Sequence, residues 1–200
     1  MSLSRASRAA LPTALLAVGT LVLSGCSGDT GKSGGGGDTN FVTDTGGIST
    51  VAYGKRKPTG EISGETLEGK RLDVADLKGK IVVLNAWGSW CAPCRAEAPN
   101  LVKVSNDLKS KGVEFVGLNT RDPNKGSAIA FEKDYNVKFP SLYDPAGALI
   151  LSGFPKGTLT PQSIPSTVVL DREGKIAARA LMALSEKQLR KMIDPLVAEK

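Results

Sequence analysis

The chain contains no histidine. That absence excludes Ser-His and Cys-His activation of a nucleophile, histidine-ligated metal sites and a C-x-x-C-H haem attachment motif. Acid–base chemistry is left to Cys, Asp, Glu, Lys or Tyr. Cysteine is almost as scarce, with only Cys26, Cys91 and Cys94. Lys and Arg total 26 against 20 acids, yet they nowhere form a dense block, so the charge makes no case for nucleic acid as a partner. No internal repeat is present. What remains is a length of 200 residues, enough for one domain with a real core.

The N-terminus reads as an address rather than as fold. MSLSRASRAA carries Arg5 and Arg8 and no acid, LPTALLAVGTLVL is apolar, and LSGC follows at 23–26. A basic start, a short apolar region and small residues describe a secretory signal, too short for an ordinary spanning helix. Leu23-Ser24-Gly25-Cys26 resembles a bacterial lipobox, which implies cleavage before Cys26 and its acylation, with 1–25 as signal peptide. The alternatives are an uncleaved anchor or a plain signal peptide. Lipidation takes Cys26 out of redox chemistry, anchors the chain to the membrane and places the rest outside it. Without Arg5 and Arg8, 24 basic residues face 20 acids, a modest +4.

The segment after Cys26, SGDTGKSGGGGDTNFVTDTGGIST, is rich in Gly, Ser, Thr and Asp. It is expected to serve, through residue 57, as a flexible tether reaching roughly 30 Å. The globular pattern is expected over 58–200. EISGETLEGKRLDVADLKGK (61–80) suggests a hairpin, and IVVLNAW (81–87) a strand buried on both faces. APCRAEAPNLVKVSNDLKSKG (92–112) has Leu101, Val104 and Leu108 at helical spacing, with Pro99 inside and Gly112 as a stop. VEFVGLNT (113–120) is a second buried strand, 126–138 a helix, and SLYD (141–144) a short extended piece. STVVLD and KIAARAL flank Arg172-Glu173-Gly174 as a hairpin, and Ser185 starts a closing amphipathic helix. The pattern predicts an α/β fold with a mixed sheet and helices on both faces.

WCAPC (90–94) stands between the first buried strand and its helix. A zinc site needs three or four Cys or His ligands, which this chain does not supply. A structural disulfide closing so short a loop would stabilise little. A redox pair fits better: Cys91 at a helix N-terminus meets unpaired N–H groups that favour its thiolate. Cys94, one turn on, is in reach and more buried. Cys91 is then the attacking thiol and Cys94 the resolver.

W-C-x-P-C in this setting resembles the thioredoxin superfamily, and more closely the membrane-tethered TlpA/ResA-type thiol–disulfide oxidoreductases. The resemblance spans about 58–195. It includes LEGKRLDVADLKGKIVVLNAWGSWCAPCRAEAP and SIPSTVVLDREGKI, where Pro165 stands six residues before Asp171. It implies a thioredoxin-like fold with an N-terminal β-hairpin and an inserted helix. It also implies a cis peptide at Pro165, for which Pro161 is worse placed, and a substrate groove at Trp90, Ala92, Pro93 and Ile164. Cytoplasmic thioredoxins have a buried Asp where this chain has Asn85, which cannot titrate. Glu97, three residues after Cys94, matches a Glu of the tethered reductases and is the expected proton handler, against a solvated helix-face Glu. Trp87 is expected in the packing, and Asn119 and Thr120 at the edge of the site.

The implied activity is disulfide reduction in exported proteins, apocytochrome c among them, with a membrane electron donor and no cofactor or metal. The opposite direction, a disulfide-forming oxidase with a membrane acceptor, stays open at this point. A peroxiredoxin shares the lead-in but needs Thr where Gly88 stands, and a copper-carrying module would need a histidine.

Overall fold

In the computed structural model the described residues are 39–199; the signal peptide and Cys26 lie outside them. The strands are β1 (Val42–Thr43), β2 (Ile48–Thr50), β3 (Ser63–Glu65), β4 (Arg71–Asp73), β5 (Ile81–Trp87), β6 (Val113–Thr120), β7 (Ser141–Asp144), β8 (Ser166–Leu170) and β9 (Ile176–Ala180). The helices are α1 (Ala92–Leu108), α2 (Lys125–Asp134), α3 (Ala148–Gly153) and α4 (Glu186–Ala198). Seven strands form one mixed sheet in the order β1-β2-β9-β8-β5-β6-β7, while β3 and β4 pair separately. β5 lies inside the sheet between β8 and β6, parallel to β6 and antiparallel to β8.

Every residue of β5 is buried, because helices cover one sheet face and loops with α3 the other. Ile81 and Val83 join Leu101, Val104 and Leu108 of α1 and Leu189, Met192 and Ile193 of α4. Val82, Leu84 and Ala86 turn to the opposite face, against Ile62, Ile150 and Phe154. The two-residue strand period therefore puts Asn85 and Trp87 on the α1 side. On α1 the buried positions are Cys94, Glu97, Ala98, Leu101, Val104 and Leu108, a stripe at three- and four-residue spacing through Pro99.

The fold begins earlier than expected. The tether predicted to run to residue 57 gives way to structure by Phe41, where β1 and β2 add a hairpin to the sheet through β9. Phe41, Ile48 and Val51 are buried, so this stretch does bury apolar surface. Asp44 shapes its turn by accepting from the N–H groups of Gly46 and Ile48, and Gly47 takes φ +80°, which suits glycine. The inserted helix is shorter than the predicted 126–138, because Asn136 turns out of it at φ +55°. α3 was not anticipated; Asp144 nucleates it by accepting from the N–H groups of Ala148 and Leu149. α4 starts as expected at Ser185, with a capping box to Gln188.

Candidate active site

Strand β5 stops at Trp87, and a turn over Gly88–Cys91 leads into α1, closed by Cys91 N–H donating to Gly88 O at 3.1 Å. Cys91 is the N-cap of α1. Its Sγ accepts the N–H of Cys94 at 3.2 Å, the contact that stabilises negative sulfur at a helix start. Cys91 and Cys94 are joined as a disulfide with Cα atoms 5.3 Å apart. Cys94 is the more deeply buried, at 1% exposure against 4% for Cys91. Around them the surface is open: Ala92 and Pro93 are exposed, and Trp90 is 46% exposed.

The Ile164–Pro165 peptide is cis, as the resemblance implied, and Ile164 packs against the cluster of Trp87, Cys91, Cys94 and Phe131. Trp87 is packing, as expected, stacked on Phe131 with ring centroids 4.4 Å apart. A groove of about 590 Å³ runs from Ser89 and Arg95 along Phe131, Asp134 and Tyr135 of the α2 region.

Glu97 is 1% exposed, which rules out the solvated-face alternative. Its Oε1 accepts from Asn85 Nδ2 at 2.9 Å and its Oε2 from the Leu184 N–H at 3.0 Å. Burial pushes this carboxyl up from 4.5 to about 7, and the two hydrogen bonds restrain the rise. A buried acid poised near neutral pH, one turn from Cys94 on the same helix face, can accept or return a proton there. Asn85 does more than fail to titrate. Its amide also donates to Thr167 Oγ1 at 3.2 Å, so it fixes the Glu97 carboxyl to the sheet.

Sequence reasoning missed Asp122. This buried residue, in the loop after β6, accepts from the Ser89 N–H at 2.9 Å and the Ser89 hydroxyl at 2.6 Å. Asn119, expected only at the edge of the site, donates to the same carboxylate at 2.7 Å. Thr120 is buried at the end of β6. A polar residue facing the loop that precedes a cysteine pair leaves no periodic trace. The left-handed backbone of Arg121 (φ +60°) marks the bend that brings Asp122 round.

The Redoxin family profile matches residues 52–193. The chain belongs to the Redoxin family. Thiol-disulfide oxidoreductase ResA of a Bacillus cereus strain is 34% identical over 139 residues, covering 70% of this chain and 75% of ResA. Thiol:disulfide interchange protein HelX of Rhodobacter capsulatus is 35% identical over 157 residues, 78% of this chain and 82% of HelX. Among solved structures, a DsbF homologue from Corynebacterium diphtheriae superposes with a TM-score of 0.71 at 38% identity, covering 80% of this chain and 100% of that one. A secreted thiol-disulfide isomerase from Corynebacterium glutamicum gives a TM-score of 0.72 at 32% identity, covering 78% and 95%. These likenesses fix the fold as thioredoxin-like. With the Cys91–Cys94 pair at a helix start, this Redoxin-family chain is a thiol-disulfide oxidoreductase of the ResA/HelX type.

Proposed function

We propose that this oxidoreductase works outside the cytoplasmic membrane, tethered through acylated Cys26, and reduces disulfides of exported proteins. The anchor in this reading is the lipid on Cys26, and its support is the Leu23-Ser24-Gly25-Cys26 motif; among the described residues no helix is long and apolar enough to cross a membrane. The substrate class is a protein disulfide that must be opened, such as the haem-site cysteines of an apocytochrome c. A membrane electron donor restores the dithiol.

The chemistry runs in two exchanges. Cys91 thiolate attacks one substrate sulfur, the substrate S–S bond breaks, and one substrate thiolate leaves. Cys94 gives its proton to Glu97 and attacks the Cys91 sulfur, releasing the second substrate thiolate and forming the Cys91–Cys94 bond. Two electrons have passed from the pair to the substrate, and the donor returns them. Trp90, Ala92 and Pro93, exposed beside the pair, and Ile164, packed against it, offer the substrate its contact surface.

The observation that carries an exchange role for the pair is Glu97: a buried carboxyl on the Cys94 face is suited to take the proton of a resolving thiol and to return it in the reverse step. The reductive direction is taken from the resemblance to the tethered reductases. The name of the Corynebacterium glutamicum neighbour, a secreted thiol-disulfide isomerase, supports a second reading, in which the pair forms or reshuffles disulfides instead of reducing them. The reduction potential against glutathione separates them. A value well below about −250 mV supports reduction, and one near that of DsbA, about −120 mV, overturns it.

A further inference from the structure

We infer that Arg121 and Asp122 are positioning residues for Cys91, acting through the Ser89–Trp90 turn that leads into α1. The inference rests on the assignment of Cys91 as the attacking thiol. The two residues directly after β6 hold the two central residues of the turn. Asp122 takes both the N–H and the hydroxyl of Ser89, at 2.9 and 2.6 Å. The Arg121 guanidinium lies over the Trp90 ring, 4.7 Å from its centroid.

The clasp is itself braced. Asn119 donates to Asp122 Oδ2 at 2.7 Å, and the Tyr143 hydroxyl of β7 donates to the Asp122 carbonyl at 3.1 Å. From the helix side Arg95 donates to the Ser89 carbonyl at 2.8 Å. The turn also packs tightly: a Cβ on Gly88 would lie 2.7 Å from Trp90 Nε1 and 3.1 Å from the Thr120 carbonyl. Ser89 is thus held at its N–H, its hydroxyl and its carbonyl, and Trp90 at its ring.

The consequence falls on sulfur. Cys91 Sγ accepts the Cys94 N–H only while the N-cap backbone keeps its extended conformation, at φ −81° and ψ 108°. Freeing Ser89 releases the backbone two residues upstream, and the thiolate loses its best-placed donor. Removing the Asp122 negative charge alone would act in the opposite sense and favour the thiolate. Position and charge therefore predict opposite signs.

The test compares Asp122→Ala with Asp122→Asn by iodoacetamide alkylation of the fully reduced protein against pH, with labelled sites mapped by mass. An Asn here keeps every contact. Its carbonyl takes the Oδ2 place, accepting from Ser89 N–H and Asn119, and its NH₂ takes the Oδ1 place, donating to the rotated Ser89 hydroxyl. We expect Asp122→Ala to slow Cys91 alkylation at pH 7 at least fivefold and to move its profile to higher pH, with Asp122→Asn restoring most of the rate. If Asp122→Ala folds and leaves the profile in place or moves it to lower pH, or if Asp122→Asn matches Asp122→Ala, the inference is overturned. If Asp122→Ala does not fold, Ser89→Ala decides: it removes the hydroxyl contact without changing charge, and must shift the profile in the same direction. Labelling of Cys94 rather than Cys91 in the parent protein would instead overturn the role assignment beneath it.

Discussion

Replacing Glu97 by Gln gives the sharpest test of the buried acid. Moving a carboxyl from 4.5 to about 7 is worth about 3 kcal/mol, at about 1.4 kcal/mol per pH unit. The sign follows from proton binding. Between pH 4.5 and about 7 the folded chain keeps a proton that the unfolded chain has released. The stabilisation from Glu97 is therefore complete below pH 4.5 and is lost as pH rises through about 7. Gln has one acceptor where Glu has two, so either the Asn85 amide or the Leu184 N–H must face an NH₂ group. That mismatch costs about 1–3 kcal/mol at every pH, an offset rather than a slope. Urea unfolding of the oxidised protein from pH 4.5 to 8 is the assay, since the disulfide keeps both cysteines from titrating. Glu132 and Asp144, also raised by burial, titrate alike in both proteins and drop out of the difference. The parent should lose about 3 kcal/mol more than Glu97→Gln across this range. A difference that stays flat with pH refutes the reasoning.

Three further outcomes are expected. Asn85→Leu removes the 2.9 Å bond that holds the carboxyl down, so the Glu97 transition should move above about 7 in the same unfolding series; an unmoved midpoint would show that the Asn85 bond does not restrain it. Cys91→Ser should abolish insulin reduction, while Cys94→Ser should accumulate mixed disulfides visible on non-reducing gels; turnover retained in Cys91→Ser contradicts the role assignment. Phe41→Ala should cost about 3 kcal/mol by urea denaturation, because it empties a buried site against Val51 and Ile176 and removes the ring beneath Arg179. A free tether at that position would show no change.

The parts of the site that the sequence displays are those carried by one continuous stretch. Strand, turn and helix follow each other from Ile81 to Leu108, so the apolar run and the i, i+3 spacing of Cys94 and Glu97 could be read directly. Other parts depend on pairing between distant segments. Asn85 has its role only because β5 register turns it toward α1 and sets it across from Thr167. The Leu184 N–H reaches Glu97 across 87 positions of chain. Asp122 meets Ser89 across 33, from a loop with no repeat to betray it. The N-terminal hairpin failed to register for a different reason. Strands of two and three residues are too short for a period, and they hold only because β9, far along the chain, offers an edge. The signal available was Phe41, Ile48 and Val51 around an Asp-Thr-Gly-Gly turn, which a composition rich in Gly and Thr obscured.

The two sulfurs have separate supports, and this matches what exchange chemistry asks of each. Cys91 must be ionised to attack, so it sits at a helix start whose approach is clasped by Asp122 and braced from Asn119, Tyr143 and Arg95. Cys94 must stay protonated until the mixed disulfide forms and then lose its proton inside the fold. That task belongs to a buried acid, and Glu97 is held for it by Asn85 and Leu184 without sharing a hydrogen-bond partner with Asp122. Variants of the two supports should therefore fail at different steps. Loss of the Asp122 clasp should slow formation of the mixed disulfide and leave its resolution unchanged. Loss of Glu97 should leave attack fast and let the mixed disulfide accumulate, with resolution recovering as the pH is raised and Cys94 ionises without help. Rapid-quench separation of the two phases in one substrate would show this division. A Glu97→Gln variant slowed only in the first phase would mean that the acid serves Cys91 instead, and the assignment of proton handling to Cys94 would have to be reversed.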